Sequence, residues 1–200
     1  MKAVICAAGD GERLRPFTSD RPKCLVKIGD KTILEYMLDN LLSCGIKETV
    51  IIAGYNSQKF DEMMGKRYKN CRIKYYVNKD YAKTDNMYSL WMARKEISDG
   101  VILMNSDLVF DTGVLKRLVQ SNFKDALAVD KNAKFEQGSM RVKSVKGKLV
   151  GMIRNLKKNN GRAVGIYKFS AEGAKKYYEK MRKLIESGKS NGILEDPLNI

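Results

Sequence analysis

The sequence predicts an α/β fold in which a mixed, mainly parallel sheet lies between two layers of helices and carries an added antiparallel hairpin. Three observations lead to this prediction. A short apolar segment at the N-terminus runs into a glycine-rich loop. Apolar runs then alternate with segments of helical periodicity as far as residue 126, which is typical of parallel strands joined by right-handed crossovers. Beyond residue 126, strand-like segments follow one another closely.

The first half of the chain contains the alternating elements. The first strand covers residues 3–6. A helix follows it, capped by Thr32, because apolar residues recur at helical spacing between residues 33 and 42 and stop before Gly45. The remaining elements of this half are predicted as strands at 49–53, 73–77 and 101–104 and as helices around 60–64, at 86–97 and at 114–119.

The second half has a different pattern. Strands are predicted at 127–129, 140–145, 149–153 and 163–169, and a long amphipathic helix at 171–187. A tight turn at 146–148 joins the second and third of these strands into an antiparallel hairpin. No linker, repeat or low-complexity segment divides the 200 residues. We therefore expect one domain over residues 1–200.

The segment after the first strand combines small residues with cations. Residues 7–11 are Ala-Ala-Gly-Asp-Gly, and Arg13 and Lys23 follow. Such a loop lets the backbone approach a ligand and directs N–H groups at an anion, to which the two cations add positive charge. A dinucleotide fingerprint would need a third glycine at Leu14, and a Walker loop would need its lysine directly after the glycines. We predict a triphosphate-binding loop of another kind, the alternative being a strand-to-helix turn with a solvated basic rim.

The composition excludes several kinds of chemistry. The chain has no histidine, the commonest general base, and its 4 cysteines lack the spacing of a zinc site or a disulfide framework. No stretch approaches the ~18 apolar residues of a membrane span, so we expect a soluble, cytoplasmic protein without membrane insertion. The net charge of +15 suits small anions, nucleic acid or an acidic membrane surface. Nucleic-acid binding is the weaker alternative, because no basic motif is interleaved with aromatic residues.

Two further positions are candidates for chemistry. Asp107 follows the strand at 101–104, and the ligand crevice of an open α/β sheet lies outside the carboxyl ends of its strands. A carboxylate there suits Mg²⁺; the alternative is a turn or helix-capping aspartate. The segment Asp85–Asn86, by itself, indicates only the start of a helix.

Several segments resemble one enzyme family. The pattern A-A-G-x-G-x-R-L-x-P at residues 7–16, followed by P-K-x-L at 22–25, resembles the N-terminal signature of the nucleotidyltransferases that make nucleoside-diphosphate sugars and CDP-alcohols. That family has a Rossmann-like three-layer fold. The turn N-x-Y-S-L at 86–90 is similar to the cytidylyltransferases that activate phosphocholine and 2-aminoethylphosphonate, as are segments 140–143, 165–170 and 194–199.

The resemblance implies Mg²⁺-dependent transfer of CMP from CTP to a small phosphorylated or phosphonylated alcohol such as phosphocholine. No general base is needed, because a phosphate monoester is already close to a dianion at neutral pH. The alternatives are a sugar-1-phosphate or inositol-phosphate nucleotidyltransferase and a non-catalytic nucleotide-binding module; a homodimer is neither indicated nor excluded. The implied site residues are Ala7, Ala8, Gly9, Gly11, Asn86 and Ser89 for the nucleotide, Arg13 and Lys23 for the phosphates, Asp107 for Mg²⁺, and Tyr88, Trp91, Glu195 and Asp196 for the acceptor.

Two features depart from the family pattern. Asp10 places an acid in the loop, which would weaken phosphate binding unless it points to solvent or pairs with a cation. Relatives usually continue into a strand with a second acidic metal ligand and a last helix, and we expect this chain to lack both. Glu195 or Asp196 is the alternative source of that second acid.

Overall fold

The computed structural model describes residues 1–97, 99–134, 138–154, 156–157 and 161–199. The strands are β1 (Lys2–Ala7), β2 (Lys27–Ile28), β3 (Lys31–Thr32), β4 (Glu48–Ala53), β5 (Arg67–Tyr68), β6 (Cys71–Val77), β7 (Val101–Asn105), β8 (Ala126–Asp130), β9 (Met140–Val145), β10 (Lys148–Arg154) and β11 (Gly161–Phe169). The α-helices are α1 (Ile33–Ser43), α2 (Gln58–Met63), α3 (Asn86–Met92), α4 (Thr112–Gln120) and α5 (Ala171–Glu186). Short 3₁₀ turns cover Glu12–Leu14, Lys23–Leu25, Arg94–Ile97 and Asp196–Asn199.

Within these residues, nine strands form one sheet in the order β10-β9-β11-β7-β1-β4-β6-β5, and β8 also pairs with β11. Strands β6, β4, β1 and β7 are parallel, whereas β11 runs antiparallel to β7. The chain leaves β1 toward β4 on one side and later returns to β7 on the other. A crevice therefore opens at the carboxyl ends of β1 and β7, where open α/β sheets bind their ligands.

Helices cover both faces of the sheet. On one face α1 and α4 bury apolar residues such as Leu38 and Leu115 against the sheet. On the other face α3 and α5 do so through residues such as Leu90 and Met181. The predicted three-layer arrangement with a mainly parallel sheet is confirmed.

Local sequence accounts for most element boundaries. Thr32 begins α1 with a capping box, in which its side chain accepts the N–H of Glu35 and the Glu35 carboxylate accepts the N–H of Thr32. The β9–β10 turn contains Lys146 and Gly147, both with positive φ, as a two-residue hairpin turn with right-handed strand twist requires. The predicted helix at 86–97 is α-helical only to Met92 and continues as a 3₁₀ turn. The two-residue strands β2, β3 and β5 were not predicted, because they are too short for a period to be recognised.

No helix in the described part of the chain is both long and apolar enough to cross a membrane.

The Glu96 side chain links its own 3₁₀ turn to strands β1 and β6, at the end of the sheet opposite the crevice. Its carboxylate accepts hydrogen bonds from Lys74 Nζ at 2.6 Å, Lys2 Nζ at 2.9 Å and Tyr76 Oη at 2.9 Å. The bond from Lys74 is the largest cause, and together with the other two it lowers the pKa of Glu96 from 4.5 to about 2. A depressed carboxyl pKa stabilises the folded state above the unfolded value, and this stabilisation is lost as the pH falls toward 2.

We therefore expect Glu96→Gln to lower the free energy of unfolding at neutral pH by about 1–2 kcal/mol, less than the full shift implies because solvent screens Lys74. Urea titrations across the acid range should show the difference between variant and wild type narrowing as the pH falls from about 5 to about 2. Glu172→Gln, in an exposed pair with Lys176 on α5, is the matched control and should change little. If Glu96→Gln and Glu172→Gln lowered the free energy of unfolding equally, the stabilising role assigned to Glu96 would be contradicted.

Candidate active site

A cleft of about 210 Å³ opens at the carboxyl ends of β1 and β7. Strands β1 and β7 pair there through Cys6 and Asn105, so both residues lie on the floor. The walls come from the loop after β1, the start of α3, the segment after β7, the β9–β10 hairpin with the residues before it, and the segment after α5. The lining residues are Cys6, Arg13, Lys23, Asp85, Asn86, Asn105, Asp107, Gly138, Met140, Arg154, Ile193 and Glu195.

The loop after β1 is shaped by its small residues. Gly11 has φ +65°, and a Cβ there would lie 3.1 Å from both Lys23 Cβ and Thr18 Cγ2. Thr18 Oγ1 donates a hydrogen bond of 2.9 Å to the Gly11 carbonyl. Because Gly11 has no side chain, the loop packs directly against the segment that carries Lys23. The glycine is thus required for the cleft wall as well as for backbone access.

The other loop residues differ in what they expose. Ala7 and Ala8 are buried, so only their backbone groups are available to a ligand. The Ala8 carbonyl already accepts the N–H of Tyr55 at 3.0 Å. Gly9 is exposed, and a Cβ there would have no neighbour within 4 Å. The open side of the loop is therefore at Gly9.

Asp10 meets the condition under which an acid is tolerated in this loop. Its carboxylate lies 3.9 Å from Arg15 Nη2, and both side chains are about half exposed. It also accepts the N–H of Glu12 at 3.3 Å. The Asp10 carboxylate is thus paired with a cation and with a backbone N–H of its own turn. Asp10 is not among the residues that line the cleft.

Lys23 and Asp107 lie together at the mouth of the cleft. Lys23 begins a 3₁₀ turn after Pro22, and Asp107 follows the end of β7. Lys23 Nζ and Asp107 Oδ2 are 2.9 Å apart, and both side chains remain partly exposed. The residue predicted to bind phosphate and the residue predicted to bind a cation hold each other, so each is positioned and charge-compensated without a ligand.

Two arginines face the same cleft from different walls. Arg13 comes from the N-terminal loop and Arg154 from the end of β10. Both are exposed, and neither guanidinium forms an ion pair or a hydrogen bond with another described residue. The sequence analysis did not predict Arg154 as a site residue, because the residues around it match no motif. Arg154 reaches the cleft only because the β9–β10 hairpin brings it there.

The predicted pyrimidine residues take two different positions. Asn86 begins α3 and lines the cleft, with its N–H bound to the Asp85 carboxylate at 2.6 Å. Ser89 is buried beneath the helix start, where it accepts a hydrogen bond of 2.9 Å from Asn78 Nδ2. The structure therefore brings Asn86 to the cleft and places Ser89 behind it.

The predicted acceptor residues are separated in the same way. Glu195 lines the cleft, whereas Asp196 pairs with Lys189 at 2.9 Å outside the lining. Trp91 stacks on Tyr178 of α5 with ring centroids 5.2 Å apart, and Tyr88 also lies outside the lining. Of the four, the structure groups only Glu195 with Lys23 and Asp107.

Two buried tyrosines hold the segment that carries Glu195. Tyr167 Oη donates to its carboxylate, and Tyr177 Oη donates to the Leu194 carbonyl at 2.8 Å. Burial, with Glu195 nearby, raises the pKa of Tyr167 well above its ordinary value, so it stays a donor. Burial also raises the pKa of Cys6 to about 12, which keeps this floor residue a neutral thiol and not a nucleophile.

The carboxylate oxygens in the cleft suit a hard cation that is bound mainly through the phosphates of a ligand. Mg²⁺ is commonly held by one or two carboxylates, with substrate phosphates and water supplying the other oxygens. Asp107 presents a partly exposed carboxylate at the mouth, and no group of three or more candidate ligands occurs among the described residues. The residues present thus fit Mg²⁺ brought together with a phosphate ligand better than a closed protein cage.

The profile of the nucleotidyl transferase family matches residues 2–142. The chain belongs to this family. The family prediction made from residues 7–25 is thereby confirmed.

Two curated proteins are similar to this chain. CMP-5'-(3-aminopropyl)phosphonate synthase of Streptomyces rubellomurinus is 34% identical over 131 residues, which cover 66% of this chain and 21% of that protein. Choline-phosphate cytidylyltransferase of Streptococcus pneumoniae is 33% identical over 123 residues, covering 62% of this chain and 52% of that protein. The alignments thus span about half or less of the length of these two proteins.

A solved structure agrees with the family assignment. CTP:phosphocholine cytidylyltransferase from Streptococcus pneumoniae superposes with a TM-score of 0.82 and 26% identity, covering 99% of this chain and 83% of that one. The likeness therefore extends past residue 142, where the profile match ends, over β10, β11 and α5.

Proposed function

We propose that the chain is a single nucleotidyltransferase domain that transfers CMP from CTP to a small phosphorylated or phosphonylated alcohol such as phosphocholine and releases pyrophosphate. The supporting observation is that one cleft gathers Arg13, Lys23, Asn86 and Asp107 from four separate segments. Two similar proteins are named for choline phosphate and for an aminoalkylphosphonate, which have an anionic phosphorus group and a cationic nitrogen in common.

The nucleotide half of the proposed site consists of the loop and α3. The backbone groups of Ala7, Ala8, Gly9 and Gly11 would contact base and ribose. Asn86 would present its amide to cytosine, and Ser89 would support that end of α3 from inside the protein. Arg13 and Lys23 would bind the triphosphate.

The acceptor half of the proposed site would consist of Arg154 and Glu195. Arg154, whose guanidinium pairs with no residue in the described part of the chain, carries a positive charge suited to a phosphate or phosphonate. Glu195 is 8% exposed, and no cation among the described residues pairs with it. A buried carboxylate without a cation is costly, and the ammonium group of an acceptor would compensate it. Tyr88, Trp91 and Asp196 stay predictions.

The geometry suits in-line attack of an acceptor oxygen on the α-phosphorus of CTP, with pyrophosphate as the leaving group. The acceptor needs no general base, since its second pKa is about 6. The main obstacle is the repulsion of two anions. A cation about 4 Å from a phosphate charge contributes on the order of 4 kcal/mol at an effective dielectric near 20, so Lys23, Arg13 and Arg154 together can offset it. Asp107 would hold Mg²⁺, which supplies further neutralisation of the triphosphate.

The test is a matrix of substrates with pyrophosphate release as the readout. The protein with Mg²⁺ would receive CTP, UTP, dTTP or GTP together with phosphocholine, (3-aminopropyl)phosphonate, inositol 1-phosphate or glucose 1-phosphate. We expect release only with CTP and an acceptor that carries an amine or ammonium group. Faster turnover of a sugar or inositol phosphate would favour the alternative acceptor class. Tight CTP binding without release would favour a nucleotide-binding module.

A further inference from the structure

Asn105 is a polar residue on the cleft floor to which no motif assigns a role. It is the last residue of β7 and lies two residues before Asp107. Its side chain is partly exposed to the cleft, and its amide forms no hydrogen bond with the described residues. An amide in such a place offers one donor group and one acceptor group to a ligand.

The space that this amide occupies depends on a glycine in the neighbouring strand. β11 runs antiparallel to β7 with Ile166 opposite Met104, so Gly165 lies beside Asn105. A Cβ at Gly165 would lie 2.6 Å from Asn105 Nδ2 and 3.1 Å from its Cγ. Gly165 also has φ +85°, a conformation that other residues rarely adopt. Because Gly165 has no side chain, the Asn105 amide can lie in the space that a Cβ at residue 165 would occupy.

This contact shows toward which half of the cleft the amide is directed. β7 has β1 on one side, with the loop that follows it, and β11 on the other. The amide lies over β11, the strand that pairs with β9 and so joins the hairpin carrying Arg154 to the sheet. It is therefore directed toward the part of the sheet that carries the Arg154 hairpin, the proposed acceptor half, and away from residues 7–11.

We propose that Asn105 binds the acceptor and that Gly165 is its positioning residue. The inference rests on the proposed transfer to a phosphorylated or phosphonylated alcohol. Nδ2 of Asn105 donates a hydrogen bond to an oxygen of the acceptor's phosphate or phosphonate, beside the charge that Arg154 supplies. A neutral donor adds affinity for this anion without competing with Asp107 for a cation.

The first measurement is steady-state kinetics of Asn105→Ala with CTP and phosphocholine. Losing a hydrogen bond to a charged group should raise the KM for phosphocholine about tenfold or more. The KM for CTP should change less than about twofold, because the nucleotide half is intact. An equal rise in both KM values, or no rise for phosphocholine, would overturn the proposal.

The second measurement separates the position of the amide from its presence. Gly165→Ala forces the Asn105 amide out of its space, so it should reproduce the raised KM for phosphocholine although residue 105 is unchanged. In the double variant the clashing group is gone, so the two effects on this KM should not add. Gly147→Ala controls for backbone strain, because Gly147 has φ +76° and open space around it. It should leave both KM values unchanged.

The outcomes distinguish this inference from the function on which it rests. A wild-type protein that uses no acceptor in the substrate matrix overturns both. A wild-type protein that uses phosphocholine, with additive effects of Asn105→Ala and Gly165→Ala, overturns the positioning role alone. If Gly165→Ala does not fold, Asn105→Ala still decides the binding role, since it only removes atoms from a partly exposed site.

Discussion

Replacing Asp107 with alanine is expected to lower the rate of pyrophosphate release about 10³-fold. The carboxylate is the proposed ligand of Mg²⁺, and losing several kcal/mol of charge stabilisation corresponds to a loss of this size. Rates should be measured with CTP and the best acceptor over a range of Mg²⁺ concentrations. The fold should persist, because Asp107 is exposed and contributes no core packing.

Asp107→Asn and Asp10→Asn complete the experiment. Asp107→Asn keeps the size of the side chain and an oxygen that can accept a hydrogen bond from Lys23. A loss of activity in this variant therefore reports on the charge of residue 107 and not on packing. The second removes an acid from the N-terminal loop that does not line the cleft, and its rate should stay near wild type. Wild-type turnover and Mg²⁺ dependence in Asp107→Asn would remove this residue from the mechanism.

The second large effect is expected for Lys23→Ala. Lys23 is the proposed ligand of the triphosphate, and a cation–phosphate interaction on the order of 4 kcal/mol corresponds to about 10³ in kcat/KM for CTP. Its partner Asp107 is exposed enough to be hydrated when the lysine is removed, so the loss should appear in catalysis and not in folding. Thermal unfolding of the variant would check this.

Lys27→Ala is the matched control, because Lys27 is an exposed lysine four residues further along the chain and outside the cleft lining. Its kcat/KM for CTP should stay close to that of wild type. The variant lacking both Lys23 and Asp107 should be about as slow as the slower single variant, since residues that act on one triphosphate do not contribute additively. Strict additivity would indicate that the two residues act at separate sites.

The order of strands and helices could be read from local patterns. Strand β1 and its loop are recognisable because an apolar run ends in residues that permit close backbone approach. Helix α1 is recognisable because Thr32, a residue that favours the N-cap, precedes apolar residues at helical spacing. Asp107 was predictable as a cleft residue because the carboxyl ends of parallel strands meet at one edge of a sheet.

Other parts of the site depend on contacts between distant segments. Arg154 reaches the cleft through a hairpin that is attached to the sheet by β9–β11 pairing, and nothing in its neighbouring residues indicates this. Glu195 and Asp196 are adjacent in sequence, yet only Glu195 lines the cleft, because Tyr167 holds its carboxylate there. Trp91 lies on the face of α3 that packs against α5, which an aromatic residue alone does not reveal.

By itself, the sequence determined the α/β class, the succession of elements, the family signature at residues 7–25 and the cleft residues Arg13, Lys23 and Asp107. These follow from local periodicity, turn chemistry and short motifs, which act over a few residues. Only the tertiary structure decided that Lys23 pairs with Asp107, that Arg154 and Glu195 line the same cleft, and that Gly165 makes room for Asn105. Each of these depends on strands paired across long stretches of chain, and the sequence around either partner does not encode the distance between them.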